Sequence, residues 1–267
     1  MSNLRRAIRL LELLTDAPDG ARLTDLAQAL GVNRAIPFRA LAELEEMGYV
    51  HQDPGSERYS ASFKLGALGL KQLETAGLRR WSDEALRDLA DKTKELVRLA
   101  VVSDSSLRWV AKAQGSNSAL LLDPANGAEA VLHATATGKA WLSTLSDDEI
   151  RKVLGKGQLA QRTAKTKTDV KAVMAEIALA RKLGYAMTQE EMDVGISAMA
   201  APIVPKSSEG GRAVATVSVA GPSARLTKDA LTKLVPEVKK TASRLAAEWD
   251  VYIHLAGGPG SFTSVIG

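Results

Sequence analysis

The first fifty residues carry apolar side chains at helical spacing. Between positions 4 and 14, leucine and isoleucine recur every three or four residues, while Arg5, Arg6 and Arg9 lie largely off that stripe. This pattern predicts an amphipathic helix with one face turned towards a core.

A turn over 16–20 (DAPDG) leads into a second, shorter helix. Thr24 is predicted to cap its start, because a threonine hydroxyl accepts hydrogen bonds from the first free backbone N–H groups of a helix. Asp25 suits the first turn, and Gly31 is predicted to end the helix.

A third helix, from a predicted cap at Asn33 to an end at Gly48, has two unlike faces. The apolar face carries Ile36, Pro37, Ala40, Leu41, Leu44 and Met47. The opposite face begins with Arg34, Ala35, Phe38 and Arg39. With Asn33 as the cap, Pro37 falls at about the fourth helical position, where proline costs a hydrogen bond. We therefore expect the helix to begin a residue later or to have a distorted first turn.

Two strand-like segments, 49–51 and 58–60, flank a turn over 53–56 and predict a hairpin. The order helix, helix–tight turn–helix, hairpin predicts a winged helix-turn-helix over 1–61, whose third helix enters the major groove of DNA. The residues predicted to contact DNA are Arg5, Thr24, Asn33, Arg34, Ala35, Phe38, Arg39 and Arg58. On topology alone, a small helical domain that binds nothing is the alternative.

The segment 62–77 is rich in leucine and glycine and has little polar character. We interpret it as a linker helix that needs a partner surface, such as its own copy in a dimer. A plain core helix is the alternative.

From Trp81 the pattern becomes mixed, and 78–256 is predicted to be an α/β domain followed by a flexible tail over 257–267. Strands are predicted over 96–103, 107–114, 119–122, 185–188, 197–205 and 213–220. Helices are predicted over 83–93, 138–145, 169–183 and 227–249, the last bent or split at Pro236, with a further one opened by a capping box at 146–149. The strand 213–220 is apolar on both faces, which predicts a central place in its sheet. The fold class is α+β.

Composition excludes several classes of protein. The chain has no cysteine, which rules out disulfides, thiolate metal sites and a cysteine nucleophile. The N-terminus lacks a signal peptide's continuous apolar core, and no apolar run reaches the ~18 residues that span a bilayer, so we expect a cytoplasmic protein that makes no membrane contact. The net charge is +4, yet residues 1–70 hold eight basic and nine acidic side chains. DNA binding must therefore depend on where individual charges point.

Candidate chemistry is sparse. The three histidines, His51, His133 and His254, are far apart in the sequence, and no metalloprotease, nucleophile-elbow or phosphate-loop motif is present. Lys139 follows Gly138 but lacks the rest of a phosphate loop, so we predict a surface residue at a helix start. We predict no catalytic residue, no metal site and no cofactor. A hydrolase or isomerase formed by the second domain remains the enzymatic alternative, and a DNA-architectural protein without a ligand is another.

Several segments resemble the IclR family of bacterial regulators. They are His133–Ala140 (HATATGKA), Gly184-Tyr185-Ala186, Glu190-Glu191 with Gly195–Pro202 (GISAMAAP), Val217–Pro222 (VSVAGP) with Arg225, and, in the N-terminal part, Gly48-Tyr49-Val50, Arg58-Tyr59-Ser60 and Lys64-Leu65-Gly66. Each motif is short, but their shared order and spacing extend over residues 4 to about 250. The resemblance implies a winged helix-turn-helix, a linker helix, a GAF-like effector domain, and dimers often paired into tetramers on operator DNA.

The resemblance also implies an effector pocket for a small organic acid or aromatic catabolite. Carried over by position, its lining is Leu120, Leu122, Ala136, Thr137, Thr188, Ile196, Ala198 and Ser218. The backbone of 135–138 is expected to present N–H groups to a carboxylate. Ordinary core and turn roles are the alternative for each position.

The sequence departs from the family at three places. Ala198 stands where the family usually has cysteine, and Thr188 stands where an acidic residue is common. Both changes lower the polarity of the pocket, so we expect a more apolar or aromatic ligand than a glyoxylate-like acid. Pro37 with Phe38 also departs from the usual recognition helix, so the operator does not follow by analogy.

Overall fold

The computed structural model describes residues 2–103, 105–155 and 157–255. Contacts divide the chain into two compact units, Met1–Ala76 and Gly77–Gly267. The predicted tail at 257–267 lies outside the described residues.

The N-terminal unit contains four helices and a small sheet. The helices are α1 (Asn3–Thr15), α2 (Leu23–Leu30), α3 (Ala35–Glu46) and α4 (Phe63–Thr75), and the strands are β1 (Ala21–Arg22), β2 (Val50–Gln52) and β3 (Arg58–Ala61). The strands pair antiparallel in the order β1-β3-β2. The sequence did not predict β1, because two residues are too short to show a period.

The core of this unit confirms the amphipathic character of α1 but corrects its stripe. Leu10, Leu11 and Leu14 are buried against α2, α3 and the sheet, whereas Leu4 is 73% exposed and Ile8 is exposed as well. Met47, predicted on the apolar face of α3, is also exposed. Leu4 and Met47 lie at helix ends, whereas Ile8 lies in the middle of α1, on a side that the core of this unit does not cover.

The predicted caps of α2 and α3 are wrong. The N-cap of α2 is Arg22, and the Thr24 hydroxyl donates to the Asp25 carboxylate instead of capping the helix. The N-cap of α3 is Arg34, so the helix begins two residues after Asn33. Pro37 is then the third helical residue, whose N–H would have no intrahelical partner, and the proline is accommodated without loss of a hydrogen bond.

The predicted end of α2 is confirmed. Gly31 adopts a left-handed conformation with φ of 65° and lets the Val32 N–H reach the Ala27 carbonyl at 3.1 Å. Only four residues then separate α2 from α3, which gives the tight turn of a helix-turn-helix.

Helix α4 begins at a Ser62 cap, whose hydroxyl oxygen accepts from the Lys64 N–H and donates to the Gly48 carbonyl. Lys64 Nζ donates to the Met47 carbonyl at 2.7 Å, which fastens the start of α4 to the end of α3. None of the thirteen residues of α4, all of them described, is buried. The helix is therefore no core helix within its own unit.

The C-terminal unit is a five-stranded antiparallel sheet with helices. Its helices are α5 (Leu78–Thr93), α6 (Ala136–Leu142), α7 (Asp147–Leu154), α8 (Val170–Leu183) and α9 (Lys228–Leu255), and its strands are β4 (Leu96–Ser103), β5 (Ser106–Gln114), β6 (Ala186–Gln189), β7 (Ile196–Ile203) and β8 (Ala215–Pro222). The strand order is β5-β4-β8-β7-β6, so β8 is central, as its two apolar faces predicted.

Helices cover both faces of this sheet. Residues of α6, α7 and α8 pack on one face, through contacts that include Ala100, Leu107 and Ala200. The opposite face carries Val97, Val217 and other side chains with no exposure, and it is covered by α5 and α9, which contact the strands and each other. We call the face under α6–α8 the inner face.

One sequence prediction for this unit is wrong, and another is narrowed. Residues 119–122 form no strand; side chains take their carbonyls instead, with Gln114 Nε2 donating to Leu122 and Arg225 to Leu120. Helix α9 continues through Pro236, which removes the predicted split; the alternative of a bend stays a prediction. The capping box of α7 is confirmed, with Ser146 and Glu149 each accepting the other's backbone N–H.

The HATATGKA segment needs a glycine at position 138, because α6 packs closely against the chain that precedes it. Thr135 caps α6 by accepting from the Gly138 N–H at 3.0 Å, and the helix then packs directly on the chain that precedes it. A Cβ on Gly138 would lie 2.3 Å from the Leu132 carbonyl oxygen. Only a residue without a side chain allows this approach.

Candidate functional site

The exposed face of α3 is the first candidate site. Its exposed residues include Arg34, Ala35, Phe38 and Arg39. Arg34 lies one helical turn from Phe38, and Ala35 lies one turn from Arg39. Phe38 is 53% exposed, although aromatic side chains are usually buried. The opposite face of α3 buries Pro37, Leu41 and Leu44. The helix therefore presents two cations and an aromatic ring to solvent while it is held firmly by its other side.

The remaining residues predicted to contact DNA are placed differently. Arg5 on α1 and Asn33 in the turn before α3 are exposed, and Thr24 on α2 is half-buried. Arg58 is half-buried on β3, and its Nη1 donates to the Gly20 carbonyl at 2.8 Å. Its guanidinium therefore holds β3 to the loop before β1, and any contact of Arg58 with DNA stays a prediction.

The turn of the hairpin is built by Asp53. Its carboxylate accepts from the N–H groups of Gly55 at 2.8 Å and Ser56 at 3.2 Å, and these bonds hold the pKa of the carboxyl below its ordinary value. The turn of the predicted wing is therefore held by hydrogen bonds within its own four residues.

The inner face of the C-terminal sheet is the second candidate site. Directly paired residues of an antiparallel sheet point to the same face. One row across the strands contains Leu96, Ala220, Ala198 and Thr188. The next row contains Lys112, Arg98, Ser218, Ala200 and Ala186, and a third contains Trp109, Ala100, Thr216 and Pro202. The strand register thus brings the predicted residues Thr188, Ala198 and Ser218 onto one surface.

The other predicted effector residues are scattered around that surface. Ala136 is buried in a cluster of alanines from α6, α8, β6 and β7, against which Ala198 packs, so both already serve the core. Thr137 is buried on α6, and Ile196 pairs with Pro222 at the end of β7. Leu120 is 65% exposed and Leu122 is half-buried in the segment after β5. The contribution of these side chains to a ligand site stays a prediction.

Sequence reasoning missed the most unusual residue of the inner face, Arg98. Its side chain is only 7% exposed, and its guanidinium carbon lies 3.9 Å from the centroid of the Trp109 ring. Burial lowers the pKa of this guanidinium to about 10, which leaves it charged at neutral pH. The signal was present in the sequence, since Arg98 is the one charge within the apolar run LVRLAVV.

The prediction that Lys139 is a surface residue is wrong. Its side chain is buried to 1% exposure, and Nζ donates to Glu176 Oε2 at 2.5 Å and Glu191 Oε2 at 2.6 Å. Burial raises the pKa of the Glu191 carboxyl, and Lys139 opposes that effect. Through these two hydrogen bonds, Lys139 links α6 to α8 and to the turn after β6, over the inner face.

The turn that carries Glu191 is fixed from a second side. Thr163 and Thr166 each donate a side-chain hydrogen bond of 2.6 Å, to the carbonyls of Glu190 and Glu191 respectively. Glu190 itself has a positive φ of 58°, which the surrounding bonds maintain.

No helix of the described ranges is long and apolar enough to span a bilayer.

Comparison with known proteins agrees with this architecture. The family model described as the IclR helix-turn-helix domain matches residues 3–54, and the one described as the C-terminal domain of the bacterial transcriptional regulator IclR matches residues 70–247.

Individual proteins are similar to this chain over most of its length. The chain is 27% identical to the HTH-type transcriptional regulator KdgR of Escherichia coli K12, over 85% of this chain and 84% of that protein. It is 27% identical to the transcriptional repressor IclR of the same organism, over 92% and 89% of the two chains. The crystal structure of an IclR homolog from Microbacterium hydrocarbonoxydans, complexed with 4-hydroxybenzoate, has a TM-score of 0.76 at 19% identity and covers 94% of this chain and 100% of its own. The two curated relatives are transcriptional regulators and not enzymes, and this chain belongs to the IclR family of transcriptional regulators.

Proposed function

We propose that the protein binds operator DNA through the exposed face of α3 and that a small organic effector, bound at the inner face of the C-terminal sheet, changes that affinity. The observation that carries the first half is the exposure of Arg34, Phe38 and Arg39 on a helix whose other side is locked into a core.

The chemistry of that face suits the major groove. Arginine donates two parallel hydrogen bonds to O6 and N7 of guanine, and an apolar side chain packs on the methyl group of thymine. Arg34 and Arg39 supply the first kind of contact and Phe38 the second. Because the unit as a whole is not basic, these individual side chains must supply specificity and part of the attraction to phosphate.

We further propose that the protein acts as a dimer, alone or as a pair of dimers, in the cytoplasm. Exposed apolar side chains on α1 and α4 support this proposal; they are Leu4, Ile8, Phe63, Leu68 and Leu70. A second copy that covers them would set two α3 helices about one DNA turn, ~34 Å, apart.

The effector half of the proposal depends on linkage. An effector that binds one arrangement of the C-terminal domains more tightly than another increases the population of the arrangement that it prefers. Helix α4 lies between the two units in the sequence, so a change in the C-terminal domains passes through it to the DNA-binding units. The homolog complexed with 4-hydroxybenzoate supports an aromatic acid as the first ligand to try. It also agrees with the apolar side chains Ala198, Ala200 and Pro202 of the inner face.

Selection of bound sites from random double-stranded DNA by the full chain tests the proposal. We expect enriched sequences with two similar half-sites about one or two helical turns apart, and an affinity that falls steeply as salt rises. Recovery of no enriched sequence would contradict operator binding. Enrichment without any small acid that changes affinity would instead favour an architectural DNA-binding protein.

Replacing Arg39 with alanine is expected to weaken binding to the selected operator about 10- to 100-fold and to relax base preference at one position. The exposed Arg151 on α7 offers a matched control, and Arg151→Ala is expected to bind the operator as the wild type does. Titration by fluorescence anisotropy measures both. An Arg39→Ala protein that also loses helix content or melting temperature would show that Arg39 supports the fold instead of contacting DNA.

A further inference from the structure

Three polar atoms on the inner face are buried and have no hydrogen-bond partner. They are Arg98 Nε, Trp109 Nε1 and Thr216 Oγ1. Buried polar groups in native proteins are almost always hydrogen-bonded, so a cluster of unpartnered ones needs an explanation.

The strand register places these atoms together. Trp109 and Thr216 both pair with Ala100, one from each neighbouring strand, so they flank it on the inner face. Arg98 lies two residues before Ala100 on the same strand and the same face, with its guanidinium over the Trp109 ring. Two N–H donors and a hydroxyl thus belong to neighbouring residues of one part of the inner face, around Ala100.

Arg98 has the Trp109 ring beneath its guanidinium but no carboxylate partner within the part of the chain that the structure describes. Among the described residues, its side chain donates from Nη2 to the Ala125 carbonyl at 3.1 Å and pairs with no carboxylate. The neighbouring cation in the same row, Lys112, pairs with Asp123 and also donates to the Pro124 carbonyl at 3.0 Å. Desolvation alone accounts for the lowered pKa of Arg98.

A purely structural role explains these facts poorly. If Arg98 only held the segment 122–125 in place, its hydrogen bond to the Ala125 carbonyl would be enough, and a neutral donor could make that bond. A buried cation without an anion costs free energy, and proteins normally avoid that cost by pairing the charge. The cost is understandable if the partner is a ligand that arrives from solution.

We propose that Arg98 anchors the carboxylate of the effector, with Thr216 Oγ1 and Trp109 Nε1 donating to the same anion. The effector is then a small organic monocarboxylate whose apolar or aromatic body lies towards Trp109 and Pro202, the two side chains of their row across the sheet that are not fully buried. The inference rests on the proposed function and deepens it by naming the residues that hold the carboxylate of the effector. It also places the charged end of the ligand over β4, β5 and β8, not at Thr188 and Ala198 on β6 and β7.

The segment that covers this region can yield to a ligand. Between residues 117 and 125 it forms no strand, and side chains of the sheet hold its carbonyls, namely Gln114 to Leu122, Lys112 to Pro124 and Arg98 to Ala125. An incoming carboxylate supplies Arg98 with a charged acceptor, which forms a stronger hydrogen bond than a peptide carbonyl does.

Calorimetric titration of the full chain with benzoate, 4-hydroxybenzoate, pyruvate and acetate tests the inference. Sodium chloride of equal ionic strength and the neutral benzamide serve as controls. We expect at least one aromatic acid to bind and to raise the melting temperature in differential scanning calorimetry, while benzamide and chloride do not. Wild-type protein that binds none of the four acids would overturn the inference.

Three variants locate the anion. Arg98→Gln is expected to weaken binding of the acid about 10-fold or more, because a charged hydrogen bond is lost, while its melting temperature without ligand stays at or above that of the wild type. Thr216→Val, which preserves shape and charge, is expected to weaken binding less. Arg108→Gln removes an exposed arginine of β5 that already pairs with Glu129, and it is expected to leave binding unchanged.

The outcomes separate the possible roles of Arg98. Undiminished acid binding by Arg98→Gln would overturn the inference, as would equal losses in Arg98→Gln and Arg108→Gln. If Arg98→Gln fails to fold, Thr216→Val decides, since an unchanged affinity in that variant also counts against the site. Operator binding is measured on the same samples, so acid binding without DNA binding would reject the proposed function alone, and DNA binding without acid binding would reject this inference alone.

Discussion

Replacing Gly138 with alanine is expected to destabilise the C-terminal unit by about 3 kcal/mol or more, at the upper end of what overpacking costs. The added Cβ would lie 2.3 Å from the Leu132 carbonyl oxygen and 2.4 Å from Leu132 Cα. Both atoms belong to the backbone of the turn that leads into α6, so no side-chain rotation can relieve the contact. Helix α6 would have to move away from its own cap at Thr135.

Urea unfolding followed by tryptophan fluorescence measures this effect selectively. All four tryptophans, Trp81, Trp109, Trp141 and Trp249, belong to the C-terminal unit. Gly69→Ala in α4 is the matched control, because nothing lies within 4 Å of an added Cβ there. We expect the control to leave the tryptophan transition unchanged. An equally unchanged transition in Gly138→Ala would show that the turn can shift at little cost.

Replacing Lys139 with methionine is expected to cost about 3–5 kcal/mol, the range for removal of one partner from a buried ion pair. The substitution preserves length and apolar packing but leaves Glu176 and Glu191 without the cation that they share at 2.5 and 2.6 Å. Glu191 is the more buried of the two, so most of the loss arises from its carboxylate.

The loss should depend on pH in a defined direction. Without Lys139, burial raises the pKa of the Glu191 carboxyl further above its value in the unfolded chain. The folded variant then binds a proton more tightly, so its deficit relative to the wild type is full at neutral pH and shrinks as pH falls through the raised pKa.

Lys165→Met is the control, since Lys165 makes an exposed pair with Glu190 at 3.0 Å, and surface pairs contribute little. Unfolding of the three proteins at several pH values checks the prediction. A deficit of Lys139→Met that stays constant or grows towards acid pH would contradict it.

Much of the site could be predicted because local signals agreed with the fold. The helical spacing of apolar residues over 33–47 predicted that Arg34, Phe38 and Arg39 lie opposite the core side of α3. The burial of the side chains agrees with this prediction as far as Leu44. The apolar run at 213–220 predicted the central strand for the same reason, since only a strand covered on both faces carries such a run. Helix caps were less predictable. Thr24 and Asn33 are good capping residues, yet the start of a helix also depends on packing, as it does at Arg22 and Arg34.

The amino-acid sequence by itself determined the order of elements, the class of each unit and the exposed side of α3, because hydrophobic period and turn residues are local properties of the chain. Only the tertiary structure decided which charges are buried. Lys139 looks like a surface cation in the sequence, whereas the apolar run around Arg98 hints at its burial. Among the described residues, Lys139 meets two carboxylates from distant elements and Arg98 meets none. The pairing of a charge depends on contacts between residues far apart in the chain, and no local pattern encodes it. The strand register that joins Arg98, Trp109 and Thr216 on one face is a contact of this kind.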